Sequence, residues 1–155
     1  MKKPSGFTLL EMIIGLTMLG LIPFFIFKVV QARPVLKTTV AEARHLLDHA
    51  KANAAALNEA VEVQLTNMST TPVLSSIIQS TSAALLSQSL TDEVTLSTTP
   101  TFDAIVFRPT QAVQLKYNGG VVSHSSTTTI QFQDKNSNTK SLNIYYESGA
   151  IVESQ

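Results

Sequence analysis

Gly6-Phe7 is a place where this chain could be cut, and Glu11 is a carboxylate set inside an apolar run. The residues before Gly6 are basic and polar, Met1-Lys2-Lys3-Pro4-Ser5, and the apolar run begins at Phe7. A secretory signal peptide carries its small-residue cleavage site after the apolar core. Here the small residue lies before it, so cutting after Gly6 would leave the apolar segment on the mature chain with Phe7 as its new N-terminus. A charged side chain at the centre of a bilayer costs ~2.5–3.5 kcal/mol on insertion scales, so such a group usually serves a function and has a partner. Within the same helix only the Phe7 amine is a cation within reach of Glu11. The chemistry implied is proteolysis at Gly6 and charge pairing at Glu11.

The run Gly6-Phe7-Thr8-Leu9-Leu10-Glu11 behind a basic leader resembles the class III signal of type IV pilins and type II secretion pseudopilins. The resemblance implies that a prepilin peptidase cuts after Gly6 and methylates the amine of Phe7. It also implies that Glu11, the fifth mature residue, meets the Phe7 amine of a neighbouring subunit during assembly. An ordinary signal anchor would have no use for Glu11.

Other residues that could do chemistry point to little. His45 and His49 are one helical turn apart, a spacing that holds zinc when a third ligand arrives. The chain has no cysteine, and His124 is the only other histidine, so solvated or packing histidines are the expectation and no metal is assigned. Asp92-Glu93 reads as a solvated turn. There is no phosphate-cradling glycine loop and no serine elbow. The expectation is a non-enzyme without a cofactor. Lys116, Lys135 and Lys140 are the candidate contacts for nucleic acid, but three lysines scattered among acids make a poor phosphate track. Net charge is zero over 155 residues and slightly acidic once Lys2 and Lys3 are removed, so no strong nucleic-acid binding is expected.

The elements that must carry these residues follow from periodicity. Residues 1–6 are the leader. Residues 7–30 hold only Glu11 and Lys28 as charges, and about 24 residues make ~36 Å of helix, enough to cross a bilayer core. Lys2 and Lys3 favour a cytoplasmic N-terminus, and Lys28 can extend to the far interface. Gly15 and Gly20 permit close helix approach but are five apart, not a small-xxx-small pair. Pro23 is expected to kink or open the helix, and Pro34 to add a second bend. Residues 31–58 continue as an exported amphipathic helix with the stripe Leu36, Val40, Ala43, Leu47, Ala50, Ala54 and Leu57, stopped near Asn58. Residues 59–155 form the exported β domain, which without a disulfide depends on packing or partners.

Within that domain Val61-Glu62-Val63-Gln64-Leu65 alternates as a strand does. Residues at about 66–100 are rich in serine and threonine and read as a variable insertion, either a partner-specific surface or a solvated loop. The apolar pairs Ile77-Ile78 and Leu85-Leu86 argue that it packs somewhere. In the C-terminal half Ile105-Val106-Phe107 is a short apolar run stopped by Pro109, and 112–117, 127–132 and 142–146 read as further strands. Turns are expected at Asn118-Gly119-Gly120, at 134–139 and at Ser148-Gly149. The fold class is α+β: a long N-terminal spine helix packed on a small antiparallel sheet.

The order of spine helix, strand, Phe107-Arg108-Pro109 and a last strand pair closed by Gly149 resembles the minor pseudopilin H subunit of type II secretion and related minor type IV pilins. The chain departs from that pattern at Thr110 and Gln111, where a glycine is usual, and at Ala150, where a basic residue is common. The resemblance implies a minor pseudopilin, a structural subunit of the type II secretion pseudopilus; the alternative is a minor type IV pilin for pilus assembly or DNA uptake. Implied partners are the prepilin peptidase, other pseudopilin or pilin subunits, the inner-membrane assembly platform and membrane lipid. The implied location is the bacterial inner membrane, single-pass, with a cytoplasmic N-terminus and a periplasmic C-terminal domain that assembles into a pseudopilus.

Overall fold

A change of period from 3.6 to 2 near residue 60 is where helix gives way to sheet. The computed structural model describes residues 9–110, 112–123 and 126–154, with side chains at 10, 12–17 and, within those ranges, from 35 onward. The chain divides into two units, Met1–Pro34 and Val35–Gln155. Helix α1 runs Leu9–Leu57. Pro23 and Pro34, expected points of distortion, do not interrupt it. A proline removes one hydrogen bond and can bend a helix without ending it.

In the first unit, Leu10, Met12, Ile13, Ile14 and Leu16 are all more than half exposed. Thr17 returns its hydroxyl to the carbonyls of Ile13 and Ile14, both at 2.9 Å, which removes its polarity from the helix surface. Among the described residues no helix is long and apolar enough to cross a membrane. The expected span at 7–30 extends over residues 18–30, whose side chains lie outside the described set.

In the second unit the helical stripe is buried from Leu36 through Val40, Ala43, Leu47, Ala50 and Ala54, and Leu46 widens it. Leu57 breaks the expectation, being 46% exposed. It is the last helical residue, and Asn58 follows with φ 53°, the left-handed conformation that ends a helix. The chain turns away there, so the packed face stops one turn earlier.

Ten strands follow: β1 Val61–Thr66, β2 Val73–Ile78, β3 Ala84–Ser89, β4 Val94–Thr99, β5 Ala104–Phe107, β6 Val113–Tyr117, β7 Gly120–Val122, β8 Thr127–Asp134, β9 Thr139–Tyr145 and β10 Ile151–Ser154. They make two antiparallel sheets rather than one. A six-stranded sheet has the order β3-β2-β1-β5-β6-β7, and a four-stranded sheet the order β10-β9-β8-β4. The helical stripe, Val61, Val63 and Leu65 of β1, Ile105 and Phe107 of β5, Ile130 and Phe132 of β8, and Leu142 and Ile144 of β9 form one continuous core. The Val113 amide donates to the Tyr146 carbonyl at 3.0 Å and ties one sheet to the other.

The segment at 66–100, read as an insertion from the sequence, is built into both sheets. It supplies β2 and β3 to the larger sheet and β4 to the smaller. Leu74, Leu90, Val94 and Leu96 enter the core, and in β4 Thr95 and Ser97 hold the alternate, exposed positions. A strand with one wet face needs apolar residues at only half its positions, and here the wet half is hydroxylic rather than charged, which reads as linker. The Asn118-Gly119 turn fares as expected. Tyr117 opposes Gly120, and the two residues between have φ 50° and 78°, the left-handed pair that a two-residue hairpin loop demands.

Candidate functional site

Of the residues that could do chemistry, Gly6 and Phe7 lie outside the described residues, as does the whole leader 1–6. Glu11 falls within α1, and its side chain lies outside the described set. What the structure adds is the helix that carries Glu11 and, on the second unit, the sheets against which that helix's residues from Val35 onward are seated.

Three carboxylates of the second unit, Glu62, Glu153 and Asp134, are held by hydrogen-bond donors. Glu62 projects from β1 on the side opposite Val61 and Val63. Lys116 Nζ donates to its Oε2 at 2.6 Å, Gln79 to the same oxygen at 2.8 Å, and Gln64 to Oε1 at 3.0 Å. The strand order makes this possible: β5 lies between β1 and β6, so Lys116 reaches across one strand. Beneath the pair lies Val106, fully buried. Burial pushes the Glu62 carboxyl up, but the Lys116 hydrogen bond, the two glutamine amides and the lysine charge outweigh it, and the group sits below its ordinary value of 4.5.

Lys140 is likewise paired with Glu153. That hydrogen bond, against the opposing effect of burial and with help from Arg44 and Lys37 of α1, holds Glu153 below its ordinary value. Asp134 closes the β8–β9 turn by accepting from the Asn136 and Asn138 amides at 2.8 and 2.9 Å and from the Asn138 side chain at 2.8 Å. Burial works against ionisation there too, and the three donors overcome it.

These pairings bear on the sequence candidates. Lys116 and Lys140 each neutralise a carboxylate in different sheets, and Lys135 stands exposed in the β8–β9 turn. The three lysines do not converge on one track. For residues 35–155 we expect no micromolar or tighter gel shift with duplex DNA at physiological salt. A salt-sensitive shift that weakens when the three lysines are neutralised would reverse that reading. His45 and His49 are exposed on α1 with ring centroids 6.4 Å apart, and Asn53 hydrogen-bonds to His49 at 3.0 Å. Among the described residues no three His, Cys, Asp or Glu side chains gather to hold a metal; His124 lies outside them. Asp92 and Glu93 are exposed in the turn before β4.

The Glu62–Lys116 pair was not anticipated from sequence. Its signal was a carboxylate at the outward position of an apolar strand, but the partner lies 54 residues away and only the strand order brings it close. It gives a pH prediction. Because the folded value of Glu62 is lowered, its stabilisation is complete above the ordinary carboxylate value and is lost as pH falls through the folded value. Lys116→Met removes the strongest donor and leaves the charge buried. It is expected to cost about 1–3 kcal/mol at pH 7. The difference from wild type is expected to shrink as pH falls below 4.5, because protonation then removes the charge that needs a partner. Urea denaturation of both proteins at several pH values checks this; a difference independent of pH would mean that Lys116 acts through packing alone.

Comparison with known proteins places these features. Residues 1–22 match the prokaryotic N-terminal methylation motif. Two crystal forms of the type IV minor pilin FimU from Pseudomonas aeruginosa superpose with TM-scores of 0.61 and 0.60 at 16% identity, covering 79% and 77% of this chain and 90% and 93% of theirs. At that identity the likeness is one of fold. No curated protein sequence matches the chain. The chain thus carries a prokaryotic N-terminal methylation motif and, behind it, a fold like that of a type IV minor pilin.

Proposed function

We propose that the chain is a minor structural subunit of a type IV pilin-like filament, with no catalytic role of its own. The observation that carries this is the conjunction of the methylation motif at residues 1–22 with the pilin fold behind it. The exposed apolar side chains Leu10, Met12, Ile13, Ile14 and Leu16 support it. An apolar helix surface left open in the single chain calls for lipid before assembly and for neighbouring helices after it. In this reading the prepilin peptidase is the processing partner, and other pilin or pseudopilin subunits are the lasting ones. The inner membrane and its assembly platform hold the subunit before incorporation, with the C-terminal domain on the periplasmic side.

Two filaments use such subunits. The pattern around Phe107-Arg108-Pro109 and Gly149 favours a minor pseudopilin of type II secretion. The likeness to FimU favours a minor type IV pilin. Deletion of the gene separates them: loss of protein secretion with pili retained supports the pseudopilus, and loss of surface pili with secretion retained supports the pilus. Retention of both in the deletion strain would defeat the filament reading.

Processing gives a direct check. Cleavage between Gly6 and Phe7 followed by methylation of the Phe7 amine is expected, because Gly6 is small and precedes the apolar helix. Intact mass of the membrane-extracted protein decides it, and a mature terminus at any other residue would overturn the assignment.

A further inference from the structure

The larger sheet ends on β3, which pairs with β2 on one side and stands at the edge on the other. Its sequence is Ala84-Leu85-Leu86-Ser87-Gln88-Ser89, without a charge or a proline. An edge strand presents unpaired amides and carbonyls, and native proteins blunt such edges by shortening, charging, bending or covering them. The other sheet edges among the described residues are blunted in these ways. β7 has only 3 residues. β10 has 4 and carries Glu153, which is held by Lys140. β4 is covered by its own chain, because the Leu96 amide donates to the Met68 carbonyl at 2.7 Å.

β3 is bent at its start, where the register shifts opposite Ser76/Ile77 and Leu85 is the extra residue. Beyond the bulge the pairing is regular: Leu86 opposes Ser76, Ser87 opposes Ser75, Gln88 opposes Leu74 and Ser89 opposes Val73. The Leu90 amide continues the ladder to the Pro72 carbonyl at 2.8 Å. Along an antiparallel strand, successive residues turn their backbone groups alternately toward the partner and away from it. Leu90, Gln88 and Leu86 therefore address β2, while Ser87 and Ser89 turn amide and carbonyl outward. Both serines are exposed. The Ser89 carbonyl meets the Gln88 side-chain amide at 3.5 Å, the limit of a hydrogen bond.

These outward groups define their complement. Amides and carbonyls at alternate residues of a strand are matched by another extended strand, which adds to the edge through main-chain hydrogen bonds. A second copy of the same edge has that pattern. Set antiparallel about Gln88, Ser87 of one copy faces Ser89 of the other, and each turns an amide and a carbonyl toward its opposite. Gln88 then faces its own counterpart. The relation is two-fold and closed. No like charges meet across it, since β3 has none.

We propose that two copies of the chain pair edge to edge through β3, antiparallel about Gln88, joining their larger sheets into one. The chain has no cysteine, so a single introduced thiol reports this contact without background. Facing residues of the type Gln88 would form lie about 4.5 Å apart at Cα, within the ~4.4–6.8 Å that a disulfide spans. The full chain in detergent, carrying Gln88→Cys, is oxidised and resolved on a non-reducing gel. A disulfide-linked homodimer is expected. Ser97→Cys, an exposed change on β4 of the smaller sheet, is expected to stay monomeric under the same oxidation. Adding Ser87→Pro or Ser89→Pro to Gln88→Cys removes an outward amide and no bond to β2, and is expected to cut the crosslink about tenfold or more. Circular dichroism of each variant establishes that the domain is still folded, and the two prolines are independent probes should one disturb β3. The proposal is overturned if Gln88→Cys gives no homodimer, or if Ser97→Cys crosslinks equally. It is also overturned if folded proline variants crosslink as well as Gln88→Cys alone, or if in intact cells Gln88→Cys links only to a different protein.

Discussion

Glu11→Ala is expected to enter the membrane at least as well as the wild-type chain, fold its second unit normally, and fail to join a filament. The insertion side of that expectation follows from the cost of a carboxylate in lipid, ~2.5–3.5 kcal/mol, which alanine does not bear. The assembly side follows from the proposed role. In a low-dielectric environment an unpaired carboxylate is expensive, and meeting the Phe7 amine of a neighbouring subunit relieves that cost at only one axial register. Glu11 in this reading selects register. Incorporation, measured as co-isolation with partner subunits in the sheared or crosslinked filament fraction, is expected to fall tenfold or more. Glu11→Gln keeps shape and hydrogen bonding while removing charge, so it separates charge pairing from a neutral hydrogen bond. Wild-type incorporation of Glu11→Ala would end the register proposal while leaving the fold untouched.

Leu47→Asp is expected to unfold the second unit. Leu47 is fully buried in the helical stripe between Ala43 and Ala50, in the same core as Phe107, Phe132 and Leu142. Truncating a buried leucine to alanine costs about 2–5 kcal/mol, and aspartate adds the cost of burying a polar or charged group without a partner. Domain stabilities are about 5–15 kcal/mol, and this domain has no disulfide to limit its unfolded state. For residues 35–155, circular dichroism is expected to show loss of the cooperative transition. Leu57→Asp is the control: Leu57 continues the same sequence stripe but is 46% exposed, so a shift below about 1 kcal/mol is expected. If the two substitutions were equally destabilising, the point at which the helix leaves the core would be wrong.

The contrast between Leu47 and Leu57 shows how far sequence carries. The stripe on α1 was legible because a helix repeats every 3.6 residues and each apolar residue is locally in phase with the next. The same logic made the strand at β1, the Asn118-Gly119 hairpin and the polar turn at Asp134 readable, since period-two alternation and left-handed turn residues act within a few positions. The N-terminal methylation motif is also local, a contiguous run ending in a carboxylate, and it is matched over residues 1–22.

What only the tertiary structure decided lies at long range. The serine- and threonine-rich stretch became β2, β3 and β4 because its leucines and valines find a core built by other elements, and no local rule distinguishes a hydroxylic strand from a linker. The division into two sheets depends on which strands pair, and β4 pairs with β8 across 30 or more residues of chain. Lys116 became the partner of Glu62, not a free cation, through the order β1-β5-β6. Period and turn chemistry determine what each segment becomes. Burial of those segments against one another determines which side chains meet, because contact energy depends on distance in space and the sequence records only distance along the chain.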